Sequence, residues 1–317
     1  MKKVCAIVMA LCLLLAGLCP ALAEDKTYRI GICQLAPHPA LDAATQGFRD
    51  FLTEKLGDKV VFDEQNAAGE AATCMQIMNS FISEDVDLIM ANATASLQAA
   101  QSATGDIPIL GTAVTDYGVA LDLTCVDGKT GVNISGTSDL APLDQQAAMI
   151  KELFPEAKEV GLLYCSSEAN SAYQIEVMTQ ELTKLGFRCT EFAFSDSSDV
   201  TSMTSTACQN SDVIYVPTDN VVATCAEAIR NVAEVDRVPI IAGEEGACAG
   251  CGVATLSISY YELGRITGEM AFEVLCEGAD ISQMAIRYAP TTAKKYNAEL
   301  CAALSLTMPA DYEAIAQ

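Results

Sequence analysis

The sequence predicts an α/β protein of two doubly wound, three-layer domains that meet at a central cleft and hinge. Short apolar runs alternate with segments of helical periodicity along most of the chain, a pattern typical of open sheets with right-handed crossovers. The strand-like runs are apolar at nearly every position, as expected for parallel strands that helices cover on both faces. The pattern then starts again near the middle of the 317 residues, which predicts a second domain of the same architecture.

Turn signals separate the elements of the first unit. The first strand spans 28–34, and helix 41–56 stops at Gly57, a residue type that commonly ends helices. The following predicted elements are strand 60–65, helix 69–83, strand 87–91, helix 96–104, strand 108–114 and strand 132–136.

The second unit repeats this order. Its first helix, 142–154, has proline at its start, where the missing N–H group costs no hydrogen bond. The following predicted elements are strand 160–165, helix 170–185, strand 187–194, helix 200–209, strand 213–216, helix 221–235, strand 238–242, strand 252–258, helix 260–277 and a strand near 285–289. The joint at 139–142 is short and lacks linker composition, so the domains are expected to hinge about a shared cleft.

Charge and composition exclude several classes of function. The chain has 18 Lys and Arg against 42 Asp and Glu, a formal net charge of -24, and such a surface repels the phosphate backbone of nucleic acids. A single histidine, His38, rules out sites with several histidine ligands. It lies between two prolines and no catalytic partner motif accompanies it, so we predict no catalytic residue, metal or cofactor.

The cysteines are expected to be mainly small buried hydrophobic residues. Of 14 cysteines, three lie in the first 23 residues and eleven remain, an odd number that leaves at least one thiol unpaired in a monomer. The single C-x-x-C motif, Cys248 to Cys251, has no histidine neighbour and lies in a glycine-rich segment that reads as a turn between strands. It is interpreted as a local disulfide or as two free thiols.

The N-terminus has the features of a secretory signal. A basic start, an apolar stretch over 4–18 and small residues at Ala21 and Ala23 predict a signal peptide, 1–23, that is removed from a protein secreted to the periplasm. The alternative is lipidation at Cys19, although a leucine stands where a lipid-attachment motif has a small residue. No later apolar run reaches the ~18 residues needed to span a bilayer.

Polar residues collect in the turns that follow the predicted strands. In open parallel sheets, ligands bind beyond the carboxyl ends of the strands, where helix N-termini also point. Each residue alone could be a helix cap, but nearly every turn carries a hydroxyl or a short acid. These turns are 35–39, 92–96, 115–116, 137–139, 166–171, 217–220 and 243–245.

This mixture of groups suits a zwitterion. Hydroxyls and free backbone N–H groups can bind a carboxylate, whereas the acids Asp116, Asp139, Asp219 and Glu244 can bind an ammonium, Asp219 being the expected main contact. The cleft turns contain no Lys or Arg, which argues against an anionic side chain. The remaining turn residues taken as ligand contacts are Ala36, His38, Pro39 and Asn220.

Several segments, in order, resemble one family. They are IGICQLAPHPALDAATQGF, DLIMANATASLQAA, GTSDLAP, VIYVPTDN and YYELGRITGEMA, and the similarity extends from residue 28 to about 289. The chain is identified on these motifs as a member of the ABC-transporter substrate-binding proteins linked to tryptophan/tyrosine-type uptake. The resemblance implies a type I periplasmic-binding-protein fold whose domains are joined by three crossings.

The resemblance also implies a domain division. The first domain would comprise 24–139 plus about 260–284, and the second 140–259 plus about 285–317. The chain would then hold an amino acid, often aromatic, and deliver it to an ABC permease with its ATPase subunit. A periplasmic sensor of the same fold and a secreted hydrolase with a carboxylate pair are the alternatives. Carried over by position, the wall residues are Thr94, Ala95, Ser96, Thr115, Asp116, Ser138 and Asp139 from the first domain, and Asn170, Thr218, Asp219 and Glu244 from the second.

Overall fold

The computed structural model describes residues 26–316. The predicted signal peptide 1–23, its cleavage point and Cys19 lie outside the described residues. Within residues 26–316, no helix combines the length and apolar character needed to cross a bilayer.

The described chain alternates strands and helices, as predicted. The strands are β1 (Tyr28–Gln34), β2 (Val60–Asn66), β3 (Leu88–Asn92), β4 (Ile109–Val114), β5 (Ile134–Ser138), β6 (Glu159–Cys165), β7 (Arg188–Phe194), β8 (Val213–Val216), β9 (Ile240–Ala242), β10 (Ala254–Ile258), β11 (Arg287–Tyr288), β12 (Thr292–Tyr296) and β13 (Glu313–Ala314). The helices are α1 (Pro39–Leu56), α2 (Ala71–Ser83), α3 (Thr94–Ala103), α4 (Tyr117–Leu121), α5 (Leu143–Leu153), α6 (Ala169–Lys184), α7 (Val200–Asn210), α8 (Asn220–Thr224), α9 (Ala226–Asp236), α10 (Glu245–Gly250), α11 (Tyr260–Glu277) and α12 (Ala298–Leu304).

Two separate sheets form the two domains, which confirms the predicted fold class. The first sheet has the order β11-β5-β4-β3-β1-β2 and is parallel throughout. The second has the order β13-β12-β10-β9-β8-β6-β7, in which β12 runs antiparallel to β10. The central strands β3 and β8 are buried along their whole length, as expected for strands covered on both faces. The carboxyl ends of the parallel strands therefore gather at one edge of each sheet.

Helix α11 carries the chain from the second sheet back to the first domain, where it packs closely on α1. A Cβ atom on Gly264 would lie 2.0 Å from the backbone oxygen of Ala44, and a Cβ on Gly47 would lie 2.0 Å from that of Tyr261. Only glycine allows the two backbones to approach so closely. This contact sets the position of Tyr260, the first residue of α11.

The last crossing lies further along the chain than predicted. The strand expected near 285–289 forms as β11, but it pairs with β5 of the first sheet, and the chain enters the second sheet only at β12. The division near 284 is therefore displaced to a point beyond Tyr288. The other two crossings lie between β5 and α5 and between β10 and α11.

Two local predictions need correction. The helix predicted over 221–235 is two helices, α8 and α9, which meet at Cys225. The C-x-x-C segment is not a turn, because Cys248 lies on α10 and Cys251 directly follows it. Both thiols are free and buried. Of the two interpretations of this motif, the structure therefore agrees with two free thiols and not with a local disulfide. The glycines near both ends of α10 favoured the prediction of a turn, whereas the segment forms a helix that the Glu244 side chain caps.

Candidate functional site

A small cavity lies between the two domains at the carboxyl ends of their strands. Its centre leaves about 10 Å³ of space, close to the least that one water molecule needs. The first domain and the crossings contribute His38, Ala40, Leu41, Ala113, Thr115, Asp139 and Tyr260, and the second domain contributes Asn170, Thr218, Asp219, Asn220, Ala223 and Glu244. Polar groups from both domains therefore face one another across a closed cleft.

The first domain presents a long helix that no side chain caps. Helix α1 starts after His38, whose backbone is extended, and Pro39 occupies its first turn without an N–H group. Its next residues, Ala40 and Leu41, line the cavity. The N-terminus of an 18-residue helix carries partial positive charge and free N–H groups. This end of the cavity favours a negatively charged group.

The second domain presents helices capped by acids. Asp219 Oδ1 accepts from the Val222 N–H at 2.8 Å, and its Oδ2 accepts from the Cys165 N–H at 2.7 Å. Glu244 accepts from the backbone N–H groups of Gly246 and Ala247 at the start of α10. Both acids thus hold local structure and also line the cavity.

Asp139 has a different role, because no helix depends on it. The Thr115 hydroxyl donates to its Oδ1 at 3.0 Å, and the Tyr260 hydroxyl donates to its Oδ2 at 2.9 Å. Hydroxyl groups can rotate, so this carboxylate can take a further donor while the fold around it is kept. Tyr260 comes from α11, so the contact also joins the second crossing to the end of β5.

Burial shifts the acids of the cavity toward their neutral forms. It raises the pKa of Asp219 to about 8, with the nearby charge of Glu168 adding to the effect. It raises the pKa of Glu244 to about 7 and also raises the pKa of Asp139. Buried carboxyls in one cavity resist ionisation until a cation offsets their charge. A cation bound in the cavity would favour the ionised forms of these carboxyls.

A hydrogen bond joins the two domains across this cavity. His38 Nε2 lies 3.2 Å from Asn220 Oδ1. The Asn220 side-chain amide donates to Glu168 at 2.7 Å, and the Asn170 amide donates to the same carboxylate oxygen at 3.0 Å. The first residues of α6 and α8 are thereby tied to the turn that begins α1.

The structure brings eight of the predicted site residues together in the cavity. They are His38, Thr115, Asp139, Asn170, Thr218, Asp219, Asn220 and Glu244.

The other predicted residues lie elsewhere. The Ser96 hydroxyl faces the domain interior, 3.7 Å from the Cys33 thiol and 3.5 Å from the Cys74 thiol. Asp116 caps α4 and, with Ser138, lines a separate cavity of about 350 Å³. Ala36, Thr94 and Ala95 are absent from the lining of the interdomain cavity, and Pro39 lines its neighbour.

This neighbouring cavity is larger and mostly apolar. It has a volume of about 510 Å³ and shares Ala40, Glu244 and Tyr260 with the small cavity. Its remaining wall includes Ala43 from α1, Ala249 from α10 and the ion pair of Lys295 with Glu245. That volume lies in the range of small-ligand pockets.

Sequence reasoning missed five lining residues. Tyr260 follows β10 and satisfies the same strand-end rule that found the others, but it also begins an obvious helix and was assigned only to that helix. The four remaining residues carry no polar signal: Ala40, Leu41, Ala113 and Ala223.

Comparison with known proteins decides the family. The model of the family described as "ABC transporter substrate binding protein" matches residues 29–310, nearly the whole described chain. The chain is an ABC transporter substrate-binding protein. This confirms the resemblance read from the sequence, and the two-domain fold is that of the type I periplasmic binding proteins.

The substrate-binding protein has a curated relative and several solved neighbours. It is 40% identical over 266 residues to the "Tyrosine-binding protein" of Clostridioides difficile strain R20291, covering 83% of this chain and 76% of the relative. A Streptococcus pneumonia ABC domain in complex with L-Trp is 30% identical with a TM-score of 0.87, over 92% of this chain and 100% of that one. A ligand-free, open substrate-binding protein with adhesive properties from Clostridium difficile is 37% identical with a TM-score of 0.71, over 91% and 99%.

Proposed function

We propose that this substrate-binding protein captures a single amino acid with an uncharged, aromatic or large apolar side chain by closing its two domains. The observation that carries the proposal is the polarity of the interdomain cavity. One side offers the uncapped N-terminus of α1, and the other sides offer three buried carboxyls and no Lys or Arg. The α-carboxylate of an amino acid can bind at the helix N-terminus while its α-ammonium binds to the carboxyls.

Within this arrangement, Asp139 is the main contact for the ligand ammonium. Its partners are two side-chain hydroxyls, whereas both Asp219 and Glu244 are held by backbone N–H groups. This assignment replaces the expectation that Asp219 is the main contact. Asp219 and Glu244 add negative charge around the ammonium and keep α8 and α10 in place.

The ligand side chain extends from this polar centre into the neighbouring cavity. The two spaces share Ala40 and Tyr260, and the larger one is lined mainly by apolar atoms. Its 510 Å³ accommodates an aromatic ring. The names of the similar proteins, one for tyrosine and one complexed with tryptophan, support the same ligand class.

Domain closure accounts for the small size of the interdomain cavity. A cavity of about 10 Å³ is too small to admit an amino acid, so the ligand enters while the domains are apart. The higher TM-score to the tryptophan complex, despite lower sequence identity than to the open relative, supports a closed arrangement of the domains in this structure. The closed form would then dock on an ABC permease and its ATPase subunit.

The ligand itself provides the most direct test of the proposal. The chain is purified without added amino acids and denatured, and the released small molecules are identified by mass spectrometry. Tyrosine, tryptophan, phenylalanine or leucine is expected. Calorimetric titration of the refolded protein with these four, with glutamate and with ribose as controls then ranks the ligands. Tight binding of glutamate or ribose alone would contradict the proposal, and a ligand recovered chemically altered would favour the hydrolase alternative.

Secretion is part of the same proposal. The segment 1–23 directs export, and the mature protein begins at Glu24 in the periplasm or is held by a lipid on Cys19. Mass spectrometry of the protein isolated from cells distinguishes the two, since a chain that starts at Glu24 has lost Cys19 and a lipidated chain retains it. A chain that keeps Met1 would contradict both forms.

A further inference from the structure

The only histidine of the chain, His38, lies in the cleft and has no role in the proposed function as described so far. The His38 side chain is 7% exposed and lines the interdomain cavity. Its Nδ1 atom is buried and has no hydrogen-bond partner among the described residues. A buried polar atom without a partner destabilises the fold. Such an atom at a ligand cavity points to a partner that the ligand supplies.

The neighbouring groups determine which hydrogen bond Nδ1 can make. Glu168 accepts from both the backbone and the side-chain nitrogen of Asn220, at 3.2 and 2.7 Å. A carboxylate only accepts, so the Asn220 amide must turn its NH₂ toward Glu168 and its oxygen toward His38. That oxygen lies 3.2 Å from His38 Nε2 and also only accepts. Nε2 therefore carries the ring proton, and Nδ1 of the neutral ring is an acceptor.

We propose that His38 binds the ligand through Nδ1, which accepts a hydrogen bond from an N–H or O–H group of the bound amino acid. Glu168 and Asn220 are positioning residues, since they select the Nε2–H form of the ring without touching the ligand through this contact. The inference rests on the proposed function and adds to it a requirement for a donor on the ligand. That donor is the α-ammonium or a side-chain hydroxyl or indole N–H.

The cleft geometry links this contact to closure. His38 belongs to the turn before α1 of the first domain, whereas Asn220 begins α8 of the second. Their hydrogen bond exists only when the domains are together, so the ring adopts its fixed tautomer in the closed state. Burial also lowers the pKa of His38, which keeps the ring neutral and Nδ1 free to accept near neutral pH.

Nitrogen NMR of the wild-type protein tests the proposal directly, because one histidine gives a single pair of imidazole signals. Binding of L-tyrosine and of L-phenylalanine to ¹⁵N-labelled protein is first confirmed by calorimetry. In the complexes we expect a protonated Nε2 and an unprotonated Nδ1 whose signal moves toward that of a hydrogen-bonded acceptor. A shift with both ligands identifies the ammonium as the donor, and a shift with tyrosine alone identifies the phenol.

A matched pair of variants separates the two ring nitrogens. His38→Gln places an amide nitrogen near the position of Nε2 and removes the Nδ1 acceptor, so tyrosine binding should weaken about tenfold or more. His38→Asn places an amide oxygen near Nδ1 and should retain more of the affinity. In Glu168→Gln the orientation of the Asn220 amide is no longer fixed. The NMR spectrum of this variant should therefore show both neutral tautomers of the His38 ring.

The outcomes distinguish this inference from the proposed function. A complex in which Nδ1 carries the proton, or an Nδ1 signal that neither bound tyrosine nor bound phenylalanine changes, would overturn the role of His38 and leave amino-acid capture standing. Unaltered affinity of His38→Gln would do the same. Failure of every amino acid to bind the wild-type protein would overturn the proposed function, and the inference with it.

Discussion

At the scale of single residues, the same residue type performs two functions that the sequence alone does not separate. Asp116 and Asp219 each follow a strand and a threonine, and each caps the short helix that comes next. Asp139 follows a strand as well, yet it contacts only hydroxyls. Strand-end position predicted that all three face the cleft, but hydrogen bonding from other elements decides which carboxylate is available to a ligand.

Substitution of these acids should separate affinity from stability. Asp139→Asn keeps the shape and its hydroxyl neighbours but removes the charge, so amino-acid binding should weaken about tenfold to a hundredfold with little change in the melting temperature. Asp219→Asn disturbs a buried helix cap and should cost about 1–2 kcal/mol of unfolding free energy. Calorimetry and thermal denaturation of both variants check this. If Asp219→Asn lost as much affinity as Asp139→Asn and kept its stability, Asp219 would be the main ammonium contact.

The raised carboxyl pKa values predict opposite pH trends for folding and for binding. Asp219 and Glu244 have native pKa values of about 8 and about 7, well above those of unfolded chains. The native state thus binds more protons than the unfolded state, and the unfolding free energy of the ligand-free protein should fall as pH rises from 6.5 to 8. Ionised carboxyls favour an ammonium, so amino-acid affinity should rise over the same range.

Denaturant unfolding and calorimetry at several pH values measure the two trends. His38, whose lowered pKa acts in the opposite direction, contributes mainly below about pH 7, because the unfolded imidazole titrates near pH 6.5. Affinity that is flat from pH 6.5 to 8 would show that the ligand does not pair with these acids.

At the scale of elements, apolar patterning located most strands and helices, and it failed where tertiary contacts decide. Strand β1 and helix α11 have the predicted bounds, because both are long and strongly patterned. Helix α10 was hidden by its glycines, and β11 was assigned to the wrong domain because two residues carry no information about their pairing partner. The return of α11 to the first domain likewise decides which strand-end residues share one cavity, and no local sequence pattern predicts that return.

The contact between α1 and α11 predicts a strong effect of one added methyl group. Gly264→Ala would place a Cβ 2.0 Å from the backbone oxygen of Ala44, so the helices must separate and stability should fall by about 1–3 kcal/mol. Gly105→Ala is the matched control, since no atom lies within 4 Å of its Cβ. Thermal denaturation compares the two variants. Similar melting temperatures for both variants would mean that α1 and α11 do not pack this closely at Gly264.

At the scale of the whole molecule, three crossings join two α/β domains around a polar cleft. The crossings lie beside the cleft, and Tyr260 of the second one donates to Asp139 next to the first. A ligand bound between the domains therefore contacts the segments that must bend during opening. On the proposed function, we expect the binding of one amino acid to change the shape of the entire protein, and we expect a permease to recognise that change.

Small-angle X-ray scattering of the protein, freed of ligand by unfolding and refolding, tests the central claim that an apolar amino acid closes the two domains. Saturating tyrosine or tryptophan, whichever calorimetry shows to bind, should reduce the radius of gyration, and glutamate and ribose should leave it unchanged. Identical scattering with and without a saturating, calorimetrically confirmed amino acid would contradict it.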